Sequence, residues 1–419
     1  MKTALTAAEA LRSILEATPV LDPETTTVRE ALGRVLAGPV VSTRDLPPLD
    51  NSAMDGYAVR LADVAAASRV QPARLEIATE IVAGGRADEP ISPGTAARIL
   101  TGAPVPPGAD CVVRQEDTAR EGDDLRVFAA PALHENIRKA GEDVRNGEQV
   151  LDAGTVVGPP QVGMLASLGR TVVSVHQRPR VAILSGGDEL VEPDQSVAGG
   201  RIVSSNSYSL AAQCLTLGAE PVYLGIARDT PEDLERLLRA GLAADVLVSS
   251  AGVSVGDRDY VRAVLTKLGC EFRFWGVKIK PGYPLAFGCF PGDRGPLVFG
   301  LPGNPVSAMM TFEQFVRPAL RKMTGHRRYF RPTLRAELGE TFTKKPGRLH
   351  FVRVVLERVG DGVVARSTGN QSSGVLRSMT LAEGLLVFPA EATELRAGDS
   401  ATVQLLDPEE FFASDRAGF

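Results

Sequence analysis

Apolar residues recur at Leu5, Ala8, Leu11 and Leu15, the three-to-four spacing of an amphipathic helix, with Thr6 and Glu9 placed as a capping box. Val28 to Leu36 repeats that spacing and stops at Gly38-Pro39, which predicts a second helix. From Ser42 to Gly141 the texture changes. Short β-branched runs, such as Leu75–Ile77 and Ala109–Val113, lie between Gly/Pro turns such as Gly84-Gly85, Pro93-Gly94 and Pro106-Pro107-Gly108. This predicts a small all-β module. Val156 to Leu168 returns to the helical pattern, so the module reads as an insertion into another domain.

From Arg180 strand and helix alternate. Val181–Leu184, Val222–Ile226, Asp245–Val248 and Leu297–Leu301 are continuous apolar runs of strand length. Helices are predicted over Asn206–Leu217, from Pro231 to Leu242 behind the cap residue Thr230, over Asp259–Leu268, and from Pro305 as one long helix to Met323. Buried-type strands alternating with helices predict a mostly parallel, doubly wound α/β domain. From Arg331 strands return at Phe351–Leu356, Val363–Ser367, Leu385–Phe388 and Ala401–Leu405, a small β-barrel or sandwich. The resulting division is 1–44 with 142–179 as a discontinuous N-terminal helical and linker domain, 45–141 as the inserted β domain, 180–328 as the α/β domain and 329–419 as the C-terminal β domain.

Composition narrows the function. At 419 residues the chain has room for two to four domains at ~150 residues each. The 42 glycines and 29 prolines fit many tight turns. Aromatics at 5% argue against a stacking platform for single-stranded nucleic acid, and a net charge of −5 leaves no basic field for a polyanion. A small anion would have to be held by local groups. Cys111, Cys214, Cys270 and Cys289 show no CxxC spacing, and His134, His176, His326 and His350 show no HxxxH or HExxH pairing. Neither a disulfide framework nor a histidine metal site is expected, and a reducing compartment fits. Met1 to Ala10 lacks the pattern of a secretory signal, and no apolar run approaches the ~18 residues of a membrane span. These features predict a cytoplasmic protein with neither nucleic-acid nor membrane partners.

In open α/β sheets ligands bind at the carboxyl ends of the strands. There the chain carries Ser185-Gly186-Gly187-Asp188-Glu189, Arg228-Asp229-Thr230-Pro231, the run from Ser249 to Asp259 and Leu301-Pro302-Gly303-Asn304-Pro305. Each combines Gly, Ser or Asn with a helix start, where free N–H groups can cradle phosphates. Asp188, Glu189, Asp229, Asp257 and Asp259 add carboxylates, and Mg²⁺ binds through one or two carboxylates plus substrate phosphates. Taken one at a time, an Asp or Asn before a helix can equally be an N-cap. Four such loops at one edge favour a phosphate and metal site. Gly252–Gly256 lacks the spacing of a dinucleotide fingerprint, and no Walker lysine follows a glycine. Lys278 and Lys280 alternate with Val277 and Ile279, which places both on one strand face, as a solvated edge or as cations for an oxyanion. Within the β module, the turn around Asp55 shows no obvious partner of its own.

PLDNSAMDGYAVR (Pro48–Arg60), TGAPVPPGAD (Thr101–Asp110), GEDV (Gly141–Val144), SGGDEL (Ser185–Leu190), AGVSVGDRDY (Ala251–Tyr260), KPGYPLAFG (Lys280–Gly288) and LPGNPVSA (Leu301–Ala308) occur together and in order. This set resembles the MoeA family of molybdopterin molybdenumtransferases, whose animal relative is the E domain of gephyrin. The resemblance implies elongated homodimers of four-domain subunits, with molybdate inserted into adenylylated molybdopterin in the presence of Mg²⁺ and AMP released. It implies functional roles for Asp55, Thr101, Asp143, Asp188, Glu189, Asp229, Asp259 and Lys280. Pro302 and Pro305 would shape their loop, and Gly186, Gly187, Ser254, Gly256, Gly303 and Asn304 would line the ligand. Mg²⁺ would fall to Asp229, Asp257 and Asp259, and molybdate to Arg348 with Ser372 and Ser373. It further implies active sites shared between two subunits, and a molybdopterin adenylyltransferase or molybdoenzyme-maturation proteins as partners. Gly276, Tyr283, Ser205 and Ala251 depart from the family pattern, and the first two remove cations. A molybdopterin adenylyltransferase or a gephyrin-like scaffold are the alternatives.

Overall fold

The computed structural model describes residues 2–250, 260–293 and 295–413. The chain forms two compact units, one of residues 1–25, 33–37 and 174–419, the other of residues 26–32 and 38–173.

The first unit is built on a seven-stranded sheet in the order Lys2–Leu5, Glu271–Val277, Ala286–Cys289, Leu297–Gly300, Val246–Ser249, Arg180–Gly186 and Glu220–Ala227. Ala286–Cys289 runs antiparallel to both its neighbours, and all other pairs are parallel. The continuous apolar runs are explained by burial of both faces. Val181 and Ile183 pack into a core with Ala10, Ile14, Leu210, Phe312 and Leu320, while Ala182 and Leu184 pack on the other side with Leu234, Leu238, Val261 and Leu265. Helices therefore cover both faces, Ala7–Ala17, Ser205–Leu215 and the segment after Pro305 on one, Pro231–Gly241 and Tyr260–Lys267 on the other. The doubly wound reading holds, as does the capping box. The Glu9 N–H donates to Thr6 Oγ1 (3.3 Å) and the Thr6 N–H donates to the Glu9 carboxylate (2.8 Å).

The C-terminal part of this unit closes into a five-stranded barrel. Leu349–Val359 pairs with Gly362–Ser367, which is followed around by Thr333–Leu338, Ser400–Leu405 and Gly384–Phe388, the last pairing back to Leu349–Val359. Val352, Val354, Leu386, Phe388 and Val403 fill it, whereas Phe351 and Leu385 join the α/β core.

The second unit holds a six-stranded sheet, ordered Cys111–Arg114, Gly56–Val59, Thr95–Ile99, Ala73–Ile81, Asp124–Val127 and Thr118–Glu121, together with the helix Pro159–Ser167. Tyr57, Val59 and Leu75 pack on one face, Ala58, Ala97 and Ile99 on the other.

Three local expectations are corrected. Val28 to Leu36 is not a helix. The Ala31 N–H bonds the Thr27 carbonyl, but Gly33 adopts φ +76° and stops the chain after one turn, so the apolar spacing reflects burial of Val28, Ala31, Val35 and Leu36 in irregular backbone. The long helix after Pro305 is interrupted by a π-helical turn, Phe312–Val316, in which the Arg317 N–H reaches back five residues to Phe312. Pro318 has no N–H to donate and its ring crowds the preceding turn, which the wider turn relieves. Finally, Lys278 and Lys280 do not share a strand of the sheet. That strand ends at Val277, and Ile279–Lys280 pairs in parallel with Leu349–His350 of the barrel.

Candidate active site

The carboxyl ends of four adjacent parallel strands, those ending at Gly186, Ala227, Ser249 and Gly300, meet at one edge of the sheet. A cavity of about 670 Å³ opens there, lined by Gly186, Glu189, Ser204, Asn206, Ser250 and the Pro302–Pro305 loop, among others. Ser204 and Ser250 of its lining belong to a chain of buried hydroxyls. Ser204 Oγ donates to Ser185 Oγ (3.0 Å), while Ser250 Oγ lies 3.3 Å from Ser185 Oγ and Ser207 Oγ 3.1 Å from Ser204 Oγ. Asn206, 8% exposed, donates from Nδ2 to the Gly303 carbonyl (2.7 Å), and its Oδ1 is buried without a partner. The wall thus offers an unused acceptor, which a ligand rich in N–H groups would satisfy.

The Gly187 turn aims the carboxylates. At φ +140° it adopts a conformation open to glycine, and a Cβ there would lie 2.7 Å from a Glu189 carboxylate oxygen. Asp188 Oδ1 accepts the Asp229 N–H (3.2 Å), which joins the loops after two neighbouring strands. Asn304 precedes the helix at Pro305 but makes no capping hydrogen bond, unlike Thr230, whose hydroxyl accepts the Asp233 N–H. The N-cap reading therefore holds for Thr230 and fails for Asn304. Among the described residues no group of three or more His, Cys, Asp or Glu side chains is arranged to hold a metal ion. Ser254, Gly256, Asp257 and Asp259 lie outside the described residues, as does Ala251.

The cationic residues collect on the neighbouring barrel edge. Lys280 pairs with His350, and Arg348 precedes the same strand with its guanidinium 4.5 Å from the centre of the Tyr283 ring. Ser373 is tied to the cavity, because its carbonyl accepts the Val306 N–H (3.1 Å). The Lys280, Arg348 and Ser372 side chains are exposed and Ser373 is half-buried, and the Val306–Ser373 bond is what joins the serine loop to the pocket wall.

Comparison with known proteins agrees along the chain. Residues 5–169 match the MoeA N-terminal region (domain I and II), 182–322 a probable molybdopterin binding domain and 335–406 the MoeA C-terminal region (domain IV). The chain belongs to the MoeA family. A protein of Nostoc sp. named molybdopterin molybdenumtransferase is 40% identical over 391 residues, covering 91% of this chain and 88% of the relative. One of the same name from Haemophilus influenzae is 35% identical over 96% of this chain and 98% of the relative. The crystal structure of the molybdopterin biosynthesis MoeA protein from Pyrococcus horikoshii OT3 superposes with a TM-score of 0.80 at 33% identity, covering 96% of this chain and all of that one (100%).

In this MoeA-family chain the β-module residues form a local arrangement of their own. Asp55 accepts hydrogen bonds from the Thr101 N–H (2.7 Å) and hydroxyl (2.8 Å), so the expectation that its turn lacks a partner within the module is wrong. Those two bonds hold the Asp55 carboxyl below its ordinary pKa and keep it ionised. Asp143 is exposed, its N–H bonded to the Leu46 carbonyl (2.9 Å). Sequence reasoning missed Asn206 and Ser204 as cavity groups. They belong to an ordinary helix start in the sequence, and only a polar residue at a position that turned out buried would have marked them.

Proposed function

We propose that this chain inserts molybdate into adenylylated molybdopterin, releases AMP and yields molybdenum cofactor. One observation carries the reading: the Val306–Ser373 hydrogen bond joins the wall of a cavity with an unused acceptor to the barrel edge that carries Lys280, Arg348 and the Ser372–Ser373 loop. The pterin, rich in N–H donors, fits the first, with Asn206 Oδ1 and Glu189 as acceptors. The molybdate oxyanion fits the second, where Lys280, Arg348 and the Ser372 and Ser373 hydroxyls offer charge-assisted hydrogen bonds. The backbone N–H groups of Gly303 and Asn304, just ahead of the helix at Pro305, are left to meet the phosphates. Water cleaves the phosphoanhydride into AMP and molybdopterin, and the two dithiolene thiols replace oxygen on molybdate, whose displaced oxygen takes up their protons and leaves as water. No protein nucleophile is required.

Asp188 and Asp229, joined by a hydrogen bond, fit the one or two carboxylates that Mg²⁺ takes alongside substrate phosphates, and Asp257 and Asp259 are the further candidates. Mg²⁺, when bound, neutralises charge on the phosphates. The same reading takes in the four-part division of the chain and a cytoplasmic homodimer. In each active site of that dimer, Asp55, Thr101 and Asp143 of one subunit would serve the crevice of the other. Among the described residues no helix is long and apolar enough to cross a membrane.

The test is AMP release from molybdopterin-AMP by the purified chain, followed by chromatography with and without sodium molybdate. Release that depends on molybdate is expected. Consumption of ATP without molybdate would instead identify a molybdopterin adenylyltransferase.

A further inference from the structure

Arg353 lies in the middle of the barrel strand Leu349–Val359 and is 0% exposed. Its Nε donates to Ser378 Oγ (3.2 Å) and its Nη2 to the Ser372 carbonyl (3.3 Å), while Nη1 is buried with no partner. Gln371 clamps its backbone, accepting the Arg353 N–H at Oε1 (3.0 Å) and donating from Nε2 to the Arg353 carbonyl (2.9 Å). Among the described residues no carboxylate acts on it. The contrast is Arg317, also buried, which pairs with Glu313 at 3.2 Å. Burial pulls the Arg353 pKa down to about 10, so it remains a cation at neutral pH.

Its surroundings add positive charge. His350, 6% exposed, has both ring nitrogens buried and unpartnered. Burial, together with the charges of Lys280, Arg353 and Lys344, pushes its pKa down to about 4. A buried charge without a counter-ion is costly, and a fold that served stability alone would pair or remove it.

We propose that Arg353 is a positioning residue for a tetrahedral dianion: it holds the Ser372–Ser373 loop by the Ser372 carbonyl and lends that loop a buried, weakly screened positive charge. This inference rests on the proposed molybdate site and names the group behind it. The guanidinium need not touch the anion. In a low-dielectric surround its charge acts over several ångströms. The same loop carries the Val306–Ser373 bond, so the Arg353 charge and the cavity wall are linked through two consecutive residues.

The experiment compares wild type, Arg353→Met and Arg353→Lys in the full chain. It reads KM for molybdate, KM for molybdopterin-AMP and thermal stability with and without sodium molybdate, with sulfate as control. Arg353→Met is expected to raise the molybdate KM on the order of tenfold, about 1.4 kcal/mol, with the molybdopterin-AMP KM within about twofold. It is expected to be no less stable than wild type, because an uncompensated buried charge is gone. It should also lose the stabilisation by molybdate that wild type shows. Arg353→Lys, a shorter cation whose buried amine loses its proton more readily, should recover the molybdate KM toward low pH and lose it toward high pH, where wild type is unaffected. Should the Met variant not fold, the Lys variant decides alone: a molybdate KM that worsens relative to wild type as the pH rises supports the assignment, and one that tracks wild type at every pH overturns it. Equal losses in both KM values, or lower stability in both variants with no selective loss of molybdate use, would make Arg353 a structural latch and overturn the proposal. A wild type whose AMP release ignores molybdate would overturn the site reading itself.

Discussion

Gly276 and Tyr283, on either side of the strand end at Val277, are coupled in this chain. Gly276 has φ +82°, and a Cβ there would meet the Tyr283 ring at 3.3 Å. Tyr283 lies edge-on to Trp275 with ring centres 5.8 Å apart and carries Arg348 over its face. Tyr283 is thus an aromatic support for the Arg348 guanidinium. Arg348→Ala should raise the molybdate KM by roughly ten- to a hundredfold, since hydrogen bonds to charged groups contribute ~1.5–3 kcal/mol. Tyr283→Ala, which removes a cation–π contact of about 0.5–1 kcal/mol, should raise it only two- to fivefold, or about that range. Steady-state kinetics in each substrate checks both, and a rise confined to the nucleotide KM would count against the molybdate role. Two imidazoles set a pH dependence. Burial, the largest cause for each, pushes His326 and His350 down from 6.5 to about 4. The unfolded chain therefore binds more protons across that window. Stability is complete above pH 6.5 and falls as the pH drops to about 4, with each group contributing on the order of 3 kcal/mol. Urea midpoints at pH 7 and about pH 4.5 should differ less for His350→Leu than for wild type, and an unchanged drop would contradict the assignment.

At the scale of elements, turns and caps carry the function while the helices and strands hold them. The loop from Gly186 to Leu190 closes through a Leu190 N–H to Gly187 carbonyl bond (3.1 Å), and a Cβ on Gly187 would push the Glu189 carboxylate aside. Gly187→Ala should displace the Glu189 carboxylate and lower AMP release at least tenfold, on the order of 1.4 kcal/mol in the barrier. Gly187 is buried, but the group its Cβ would meet is the end of the exposed Glu189 side chain, which can swing aside, so the melting temperature should change by only a few degrees, roughly. Calorimetry beside the AMP assay separates the two effects, and full activity in the variant would remove Glu189 from the site. The capping box on Ala7–Ala17 gives the opposite profile. Thr6→Ala should cost about 1 kcal/mol in a denaturant titration and leave both KM values unchanged.

At the scale of the whole molecule, Asp55 and Thr101 belong to one compact unit, and the cavity and its cations to the other. The proposed homodimer accounts for this by pairing the β module of each subunit with the crevice of its partner. Asp55→Ala and Asp259→Ala homodimers should each be inactive. Co-refolded with random pairing, about half the dimers are mixed, and each mixed dimer holds one intact site of two, so recovery should approach ~25% of wild-type activity. Mixed dimers that form and stay inactive would place the whole site within one chain.

Local periodicity determined much of the architecture. Continuous apolar runs bounded by turn residues marked the strands from Val181 onward, because a strand buried on both faces needs no polar alternation. The Thr6–Glu9 and Thr230–Asp233 signals marked helix starts, because a cap is decided within four residues. The loops at the strand ends pointed to the edge where the cavity opens. Tertiary structure decided what depends on distant partners. Asp55 meets Thr101 across 46 positions, Asn206 meets Gly303 across 97, and Ile279–Lys280 leaves the sheet for a barrel strand some seventy residues later, as its pairing with Leu349–His350 shows. Burial without secondary structure at Val28 to Leu36 was likewise invisible, since periodic apolar spacing records which side chains are buried and not the backbone that buries them. Arg353 is the clearest case. In sequence it is one arginine in a strand, and only the closed barrel removes it from water while supplying hydroxyl and carbonyl partners instead of a carboxylate.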